Sequence, residues 1–292
     1  MEAHFLIISF YKYVNIPEPE VLREEILDYC ITTGLRGKIY LANEGINASV
    51  SGTVELISGF KNYLESFPYF KNILFKEDTT EGFVFDKMHV RVKRELVHLG
   101  VSGISLENGG KRLKPEDLNN FYETGKDFII IDTRNSWESN IGHFKNAVLP
   151  EMHTFRDWEK AVDDLSNFKD KTVVTYCTGG IRCEKASALM VEKGFKDVYQ
   201  LDGGIITYLK QFPKSNWEGG CFVFDNRRLI ETNDNYVANC SHCGKPTAKY
   251  INCHNLDCDK LFVCCEECRH THEYSCSEEC RKSERRRDKN YD

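Results

Sequence analysis

No stretch of this 292-residue chain approaches the roughly 20 consecutive apolar residues that a membrane-spanning helix needs. The opening run Met1 to Phe10 carries no basic segment and its apolar part is short, so it reads as a first strand and not as a secretory signal. Also missing is a G-x-G-x-x-G dinucleotide fingerprint, as is the His-x-Asp/Glu pair that would open a facial-triad iron site. Nothing marks a flavin, a nicotinamide or a haem. Positive charge is in the minority, with 39 Lys and Arg against 45 Asp and Glu and a net charge of −6. That excludes a chain that is basic all over, while a local basic surface remains open because binding depends on the field at the contact. These absences point to a cytoplasmic protein, where thiols stay reduced. The thirteen cysteines are therefore expected as metal ligands and a reactive thiol, and not as a disulfide framework.

The length suits about two domains with chain to spare. Residues 1–94 alternate in type. Phe5 to Val14 is a strand pattern, Pro17 to Thr33 a helix with Val21, Leu22, Ile26, Leu27 and Cys30 at helical spacing, and Gly34 its stop. Lys38–Ala42 and Ile46–Val50 read as strands around the turn Asn43-Glu44-Gly45, Thr53–Ser66 as a second helix, and Ile73–Lys76 and Met88–Lys93 as closing strands. This is the order of a ferredoxin-like, split βαβ domain of the α+β kind. Residues 95–112 read as a linker with one hairpin at Asn108-Gly109-Gly110. Residues 113–221 alternate helices (Pro115–Glu123, Trp158–Leu165, Glu184–Lys193) with buried strands (Phe128–Asp132, Val173–Tyr176, Val198–Leu201), which implies a parallel α/β sheet. Residues 222–292 form a cysteine-rich region that ends in a charged tail.

The run Val173 to Ala188 holds the most informative residue. A buried strand stops at Cys177, passes Thr178, Gly179 and Gly180, and opens through Ile181 and Arg182 into a helix. Backbone N–H groups and the positive helix end converge at such a loop and favour an anion. Glycines let it curl, and Arg182 adds positive charge. Cys177 is expected as a thiolate, a nucleophile or a persulfide carrier. Ligands of a parallel sheet sit at its carboxyl edge, where Cys177 falls. Asp132 and Arg134 end a strand at the same edge and are expected to brace the loop from behind, together with Glu138. Cys183 reads as a buried thiol, with a resolving role as the alternative. His143, Trp137, Cys30 and Cys221 read as packing.

Nine cysteines lie between Cys240 and Cys280. Four close pairs can supply two tetrahedral sites, and an interleaved arrangement is expected: Cys240, Cys243, Cys265 and Cys268 at one zinc, Cys253, Cys258, Cys276 and Cys280 at the other. Cys264 is left over, and His242, His254, His270 and His272 are possible substitutes. A metal-free cluster of thiols is the alternative. Lys87, His89, Arg91 and Lys93 alternate with apolar residues, either as a phosphate-tracking strip or as a solvated strand face. The basic tail, Arg281 to Lys289, reads as solvated chain, with an RNA-touching arm second.

Asp132-Thr133-Arg134-Asn135, Gly142 to Ala147, the loop Cys177–Arg182 and Leu201-Asp202-Gly203-Gly204-Ile205 together resemble a rhodanese domain, whose loop cysteine becomes a persulfide. The loop's six residues match the sulfurtransferase length, whereas the related cell-cycle phosphatases use one residue more. With Tyr40 to Asn47 ahead of it and paired cysteines behind, nearly the whole chain resembles the tRNA uridine-34 hydroxylase family. That resemblance implies oxygen-dependent formation of 5-hydroxyuridine at the wobble position, with Cys177 essential, molecular oxygen as co-substrate, tRNA as partner and a reductant yet to be identified. A persulfide sulfurtransferase and a metal-stapled RNA- or protein-binding module are the competing readings. The residues themselves suggest one chemistry: the Cys177 thiolate adds to C6 of uracil, and the enolate-like C5 reacts with oxygen.

Overall fold

A computed structural model describes residues 4–230 and 235–287 of the protein. The N-terminal part runs β1 (Phe5–Tyr13), α1 (Pro19–Thr33), β2 (Arg36–Ala42), β3 (Gly45–Thr53), α2 (Val54–Ser66), β4 (Lys76–Thr80) and β5 (Met88–Val92). Its sheet has the order β4-β1-β3-β2-β5, antiparallel except where β5 runs parallel to β2. Alternation along the strands divides the sheet into two faces. Ile8, Phe10, Ile39, Leu41, Ile46 and Val50 point into one core with Ile26, Ile57 and Phe60 of the two helices. The opposite face carries Ser9, Tyr11, Lys38, Tyr40, Asn47 and Ser49.

Three sequence expectations shift here. Helix α1 begins at Pro19, which takes the first-turn position expected of Pro17, and Val21 is 54% exposed because the inward stripe is Leu22, Ile26 and Cys30. The strand expected at Ile73–Lys76 starts where that stretch ends. Ile73 is a core anchor, and the strand itself is the polar segment Lys76–Thr80 at the sheet edge. An edge strand with little to bury shows no apolar period, so pairing with β1 alone places it. Gly45 follows the tight turn as expected, with φ 140°, and a Cβ there would lie 2.0 Å from the Lys12 carbonyl.

The second part runs β6 (Lys111–Leu113), α3 (Pro115–Thr124), β7 (Ile129–Asp132), α4 (Ser136–Ser139), β8 (Gly142–Phe144), α5 (Trp158–Asp164), β9 (Thr172–Tyr176), α6 (Ile181–Glu192), β10 (Asp197–Leu201) and α7 (Gly204–Gln211). The sheet, of order β6-β10-β9-β7, is parallel throughout. No hairpin forms at Asn108-Gly109-Gly110. The chain instead enters β6 and pairs parallel with β10, because Leu113 fills the core beside Leu201 and Ile205. Helices cover both sheet faces. Trp158, Val162, Ala186 and Met190 pack one side, and Leu118, Ile205 and Tyr208 the other, each large apolar side chain contributing about 1.5–3 kcal/mol by burial.

The C-terminal part is built from short pieces: β11 (Trp217–Gly219), β12 (Cys221–Phe222), β13 (Leu229–Ile230), β14 (Tyr250–Asn252), β15 (Leu261–Val263), α8 (Glu266–Thr271) and α9 (Glu278–Arg281). Strand β11 pairs antiparallel with β8 of the second part, which ties the pieces to that part in a separate two-stranded sheet. The tail expected to be solvated folds back on this region through Arg287. Arg285 pairs with Asp257, Arg286 with Glu273 at 3.1 Å and Arg287 with Asp259 at 2.6 Å, so these arginines hold loops together. Asp288 and Lys289 lie outside the described residues.

Candidate active site

Strand β9 delivers Cys177 to the carboxyl edge of the parallel sheet, where it is 1% exposed. The chain then turns through Gly180, whose φ of 98° lies in the region that favours glycine, and α6 starts at Ile181, three residues earlier than its apolar pattern suggests. The Gly180 N–H donates to Cys177 Sγ over 3.1 Å. Burial by itself would push this thiol up. The Cys183 hydrogen bond, the Arg182 charge and the N–H groups of Arg182 and Cys183 outweigh burial and bring it down to about 5. Burial and the same contact drive the Cys183 thiol upward. The proton of the pair therefore resides on Cys183 and the charge on Cys177.

The loop is fixed from behind. Ile205 and Ile206 at the start of α7 donate to the carbonyls of Cys177 and Thr178 over 3.0 and 3.2 Å. This approach needs Gly204, since a Cβ there would lie 2.6 Å from the Cys177 carbonyl. Arg182 is held by Glu138 through two bonds of 2.6 and 2.8 Å, both side chains buried. Asp132 and Arg134 form a separate, fully buried pair at 2.6 Å, and Arg134 also reaches the Gly142 carbonyl. The bracing expected of Asp132, Arg134 and Glu138 together is thus divided. Glu138 holds the loop, while Asp132 and Arg134 hold the strand end and β8. His143 bonds the Ser139 carbonyl and Trp137 packs against Phe222 and Tyr250. Cys30 and Cys221 lie in separate apolar cores.

Cys177 faces a cleft of about 330 Å³. Its floor is the polar face of the N-terminal sheet, and the far wall is the β12–β13 turn bearing Phe224. Cross-strand register sets two rows on this floor: Lys76, Ser9, Ser49, Lys38, His89, and beside it Tyr11, Asn47, Tyr40, Arg91. The strip of Lys87, His89, Arg91 and Lys93 is therefore continuous with the floor. Lys93 Nζ lies 5.5 Å from the Tyr40 ring. Slight burial and then the charges of Lys87, Arg91 and Lys38 hold His89 below the ordinary histidine range, as expected in a positive field.

Side-chain contacts join the N-terminal part and the segment after it to the loop or its helix. Lys76 Nζ donates to the Gly179 carbonyl over 2.9 Å, the Tyr11 hydroxyl donates to Glu184 over 2.8 Å, and the Tyr13 hydroxyl reaches the Ile181 carbonyl at 3.4 Å. Lys185 on α6 pairs with Glu44 and Glu95, each at 2.9 Å. Arg112 bonds both Glu184 and Asp202. None of Lys76, Tyr11 or Glu138's pairing with Arg182 stood out in the sequence. Only the i, i+2 spacing of Tyr11 and Tyr13 hinted at a shared outward face.

The paired cysteines converge as two interleaved sets, Cys240, Cys243, Cys265, Cys268 and Cys253, Cys258, Cys276, Cys280, with the sulfurs of each set within 4.8 Å of one another. Four thiolates about 2.3 Å from a tetrahedral zinc stand roughly 3.8 Å apart. The pairs Cys243–Cys265, Cys258–Cys276 and Cys276–Cys280 are separated by 3.7, 3.7 and 3.8 Å. The clusters can hold a metal ion. Cys264 is buried outside both sets, and the histidines are engaged elsewhere: His242 stacks on His272, His254 on Tyr274, and His270 meets Glu266.

The architecture has relatives. Family models match in three consecutive stretches: a UPF0176 acylphosphatase-like domain over residues 5–96, a rhodanese-like domain over 114–211 and a rhodanase C-terminal domain over 218–281. A protein of Bacillus licheniformis named tRNA uridine(34) hydroxylase is 40% identical over 291 residues, covering 96% of this chain and 89% of that one. Proteins of the same name from Cytophaga hutchinsonii and Chlamydia felis are 39% and 37% identical, covering 95% and 98% of this chain and 90% of each relative. These matches cover 95% or more of this chain, far beyond the rhodanese-like portion at 114–211, and so this chain belongs to the tRNA uridine(34) hydroxylase family.

Proposed function

We propose that this protein hydroxylates C5 of the wobble uridine of tRNA, with Cys177 as the nucleophile and molecular oxygen as co-substrate. The observation that carries the reading is a thiolate stabilised in the loop yet facing a cleft shared by the three parts of the chain. Cys177 Sγ adds to C6 of uracil, forming an S–C6 bond and an enolate across C5, C4 and O4. C5 then bonds to oxygen, giving a hydroperoxide once protonated. A two-electron reductant of the thiol class reduces the hydroperoxide to C5–OH and water. Loss of the C5 proton and departure of Cys177 regenerate the C5=C6 bond and the thiolate. The net consumption is one oxygen molecule, two electrons and two protons.

The remaining parts serve a polynucleotide. Lys87, His89, Arg91 and Lys93 extend the cleft floor outward and follow the phosphates, a sequence-independent contribution to affinity. Thr178, Gly179, Gly180, Ile181 and Arg182 hold the thiolate. Asp132 and Arg134 set the strand end from which α4 and Glu138 depart. Zinc fits the two four-cysteine sets and would staple loops too short to carry a core of their own. The β12–β13 turn that walls the cleft belongs to the same C-terminal part.

Nucleoside mass spectrometry of tRNA from cells lacking the gene tests this. Complementation with the wild-type gene restores 5-hydroxyuridine-derived nucleosides, and the Cys177→Ser gene does not. Hydroxylated tRNA from Cys177→Ser would sink the mechanism, and loss of only a thiolated nucleoside in the deletion would favour a persulfide sulfurtransferase.

A further inference from the structure

Four cations line the cleft: Lys38, Lys76, Arg182 and Arg227. Arg182 is spent on Glu138, and Arg227 on Asp78 and Asp225. Lys38 donates to the Phe224 carbonyl at the opposite wall. Lys76 differs from all three. It sits half-buried on β4, opposite Ser9 of β1, and reaches across the domain boundary to the Gly179 carbonyl, two residues from Cys177. Among the described residues no carboxylate pairs with it, and the ring of Tyr11 lies 5.1 Å from its Nζ. An ammonium has three protons, and the Gly179 bond uses one. Burial of so polar a group without a carboxylate is costly, which makes the position hard to explain by packing.

The addition to C6 creates a need at this place. Negative charge leaves sulfur and appears on O4, on the far side of the base. A fixed donor aimed at that oxygen needs no reorganisation as the charge develops. We propose that Lys76 is a catalytic residue whose ammonium donates to O4 of the uracil and stabilises the enolate formed when Cys177 adds to C6. The inference rests on the C6-addition reading. It also explains why the loop is covered by the N-terminal sheet: the rhodanese-like part supplies the nucleophile and the sheet supplies the cation that meets the developing charge. Burial holds the Lys76 ammonium below the ordinary lysine range, while the Cys177 charge pulls it back up. The net direction is downward, so as pH rises the cation is lost earlier than that of an ordinary lysine.

The test avoids oxygen and the reductant. Once Cys177 has added, C5 can take a deuteron from solvent, and elimination with loss of the original C5 proton leaves deuterium on C5. The full-length protein is incubated without oxygen in D₂O with an unmodified tRNA transcript bearing uridine at position 34, at saturating RNA. Nuclease fragments are then weighed. Wild type adds one dalton at that uridine and Cys177→Ser adds none. Lys76→Met slows exchange by about a hundredfold or more, as for loss of one oxyanion donor, with tRNA affinity little changed. Lys76→Arg, which keeps a cation, recovers part of the rate. The wild-type profile falls at alkaline pH as Lys76 deprotonates, Lys76→Arg moves that fall upward, and Lys76→Met lacks it, which a purely loop-holding lysine would not produce. Exchange at the wild-type rate in folded Lys76→Met overturns the proposal, as does a loss traced wholly to tRNA binding. Absence of exchange in wild type overturns it together with the C6-addition reading, whereas normal wild-type exchange with an indifferent Lys76 leaves that reading standing.

Discussion

The Cys177 loop and the C-terminal clusters use the same side chain for opposite ends. Cys177 is a single sulfur surrounded by N–H groups, a buried arginine and a protonated thiol neighbour. The eight clustered cysteines are sulfurs surrounded by sulfurs. A lone thiolate with donors around it keeps its electron pair available to an electrophile. Four thiolates at mutual distances near 3.8 Å repel one another unless a cation shares their charge. Cysteine chemistry is thus set by what converges on the sulfur, and in this chain each arrangement is made by a different kind of local structure. Cys177 stands on a strand-to-helix turn at the edge of a large sheet. The clusters stand on short turns such as the one at Cys240, closed by its N–H bond to the Lys245 carbonyl at 2.8 Å.

The sharpest way to break this contrast is to exchange one sulfur for oxygen on each side. Cys177→Ser is expected to remove all 5-hydroxyuridine-derived product from cellular tRNA while leaving the metal content unchanged. Cys258→Ser is expected to lower bound zinc from two ions to one across the two sets, measured by elemental analysis, and to leave alkylation of Cys177 intact. Product surviving in Cys177→Ser would remove the basis for separating the two kinds of site.

Metal removal should follow in size. Structural zinc sites carry on the order of 10–16 kcal/mol of apparent binding energy, so a strong chelator is expected to open the C-terminal part to proteolysis. The parallel sheet stays protected, because its core is built from Trp158, Val173 and their neighbours. Next comes Glu138→Gln, which leaves the buried Arg182 charge unmatched. Urea unfolding should show a loss of about 3–5 kcal/mol, and a loss under about 1 kcal/mol would mean that water reaches Arg182.

A smaller effect lies in pH. With a folded pKa near 5, below the ordinary thiol value, the Cys177 thiolate stabilises the fold above the ordinary thiol pKa, and that contribution disappears as pH falls through about 5. Iodoacetamide labelling of Cys177, read by peptide mass, should stay flat from about pH 8 to 6 and fall near 5. In Cys183→Ala the midpoint should rise by about one unit, roughly 1.4 kcal/mol. The smallest expected change is Gly180→Ala. The left-handed backbone costs roughly 1 kcal/mol, and a Cβ would sit 3.1 Å from the Tyr11 hydroxyl. Tm should drop a few degrees.

The elements legible in the sequence are those with their own periodicity or spacing. Strand β9, its loop, both N-terminal helices and the cysteine pairs announce themselves within a dozen residues. Strand β4 and the pairing of β6 with β10 do not, because polar edge segments and three-residue strands carry no pattern. The tail gave the opposite difficulty. Its charges read as solvated chain, yet Asp257, Asp259 and Glu273 lie within reach of Arg285, Arg287 and Arg286 and turn them into ties.

Sequence alone was sufficient for the thiolate loop, because strand, glycines and helix start are consecutive and backbone N–H groups converge wherever that order occurs. It was sufficient also for the two sets of thiols, because tetrahedral coordination draws ligands in close pairs. What surrounds Cys177 was decided only by tertiary structure. Lys76, Tyr11 and Phe224 come from three distant segments, and none carries a local signature of its role. Sheet register and domain packing bring them to one cleft, and register is a property of paired strands, not of any one of them.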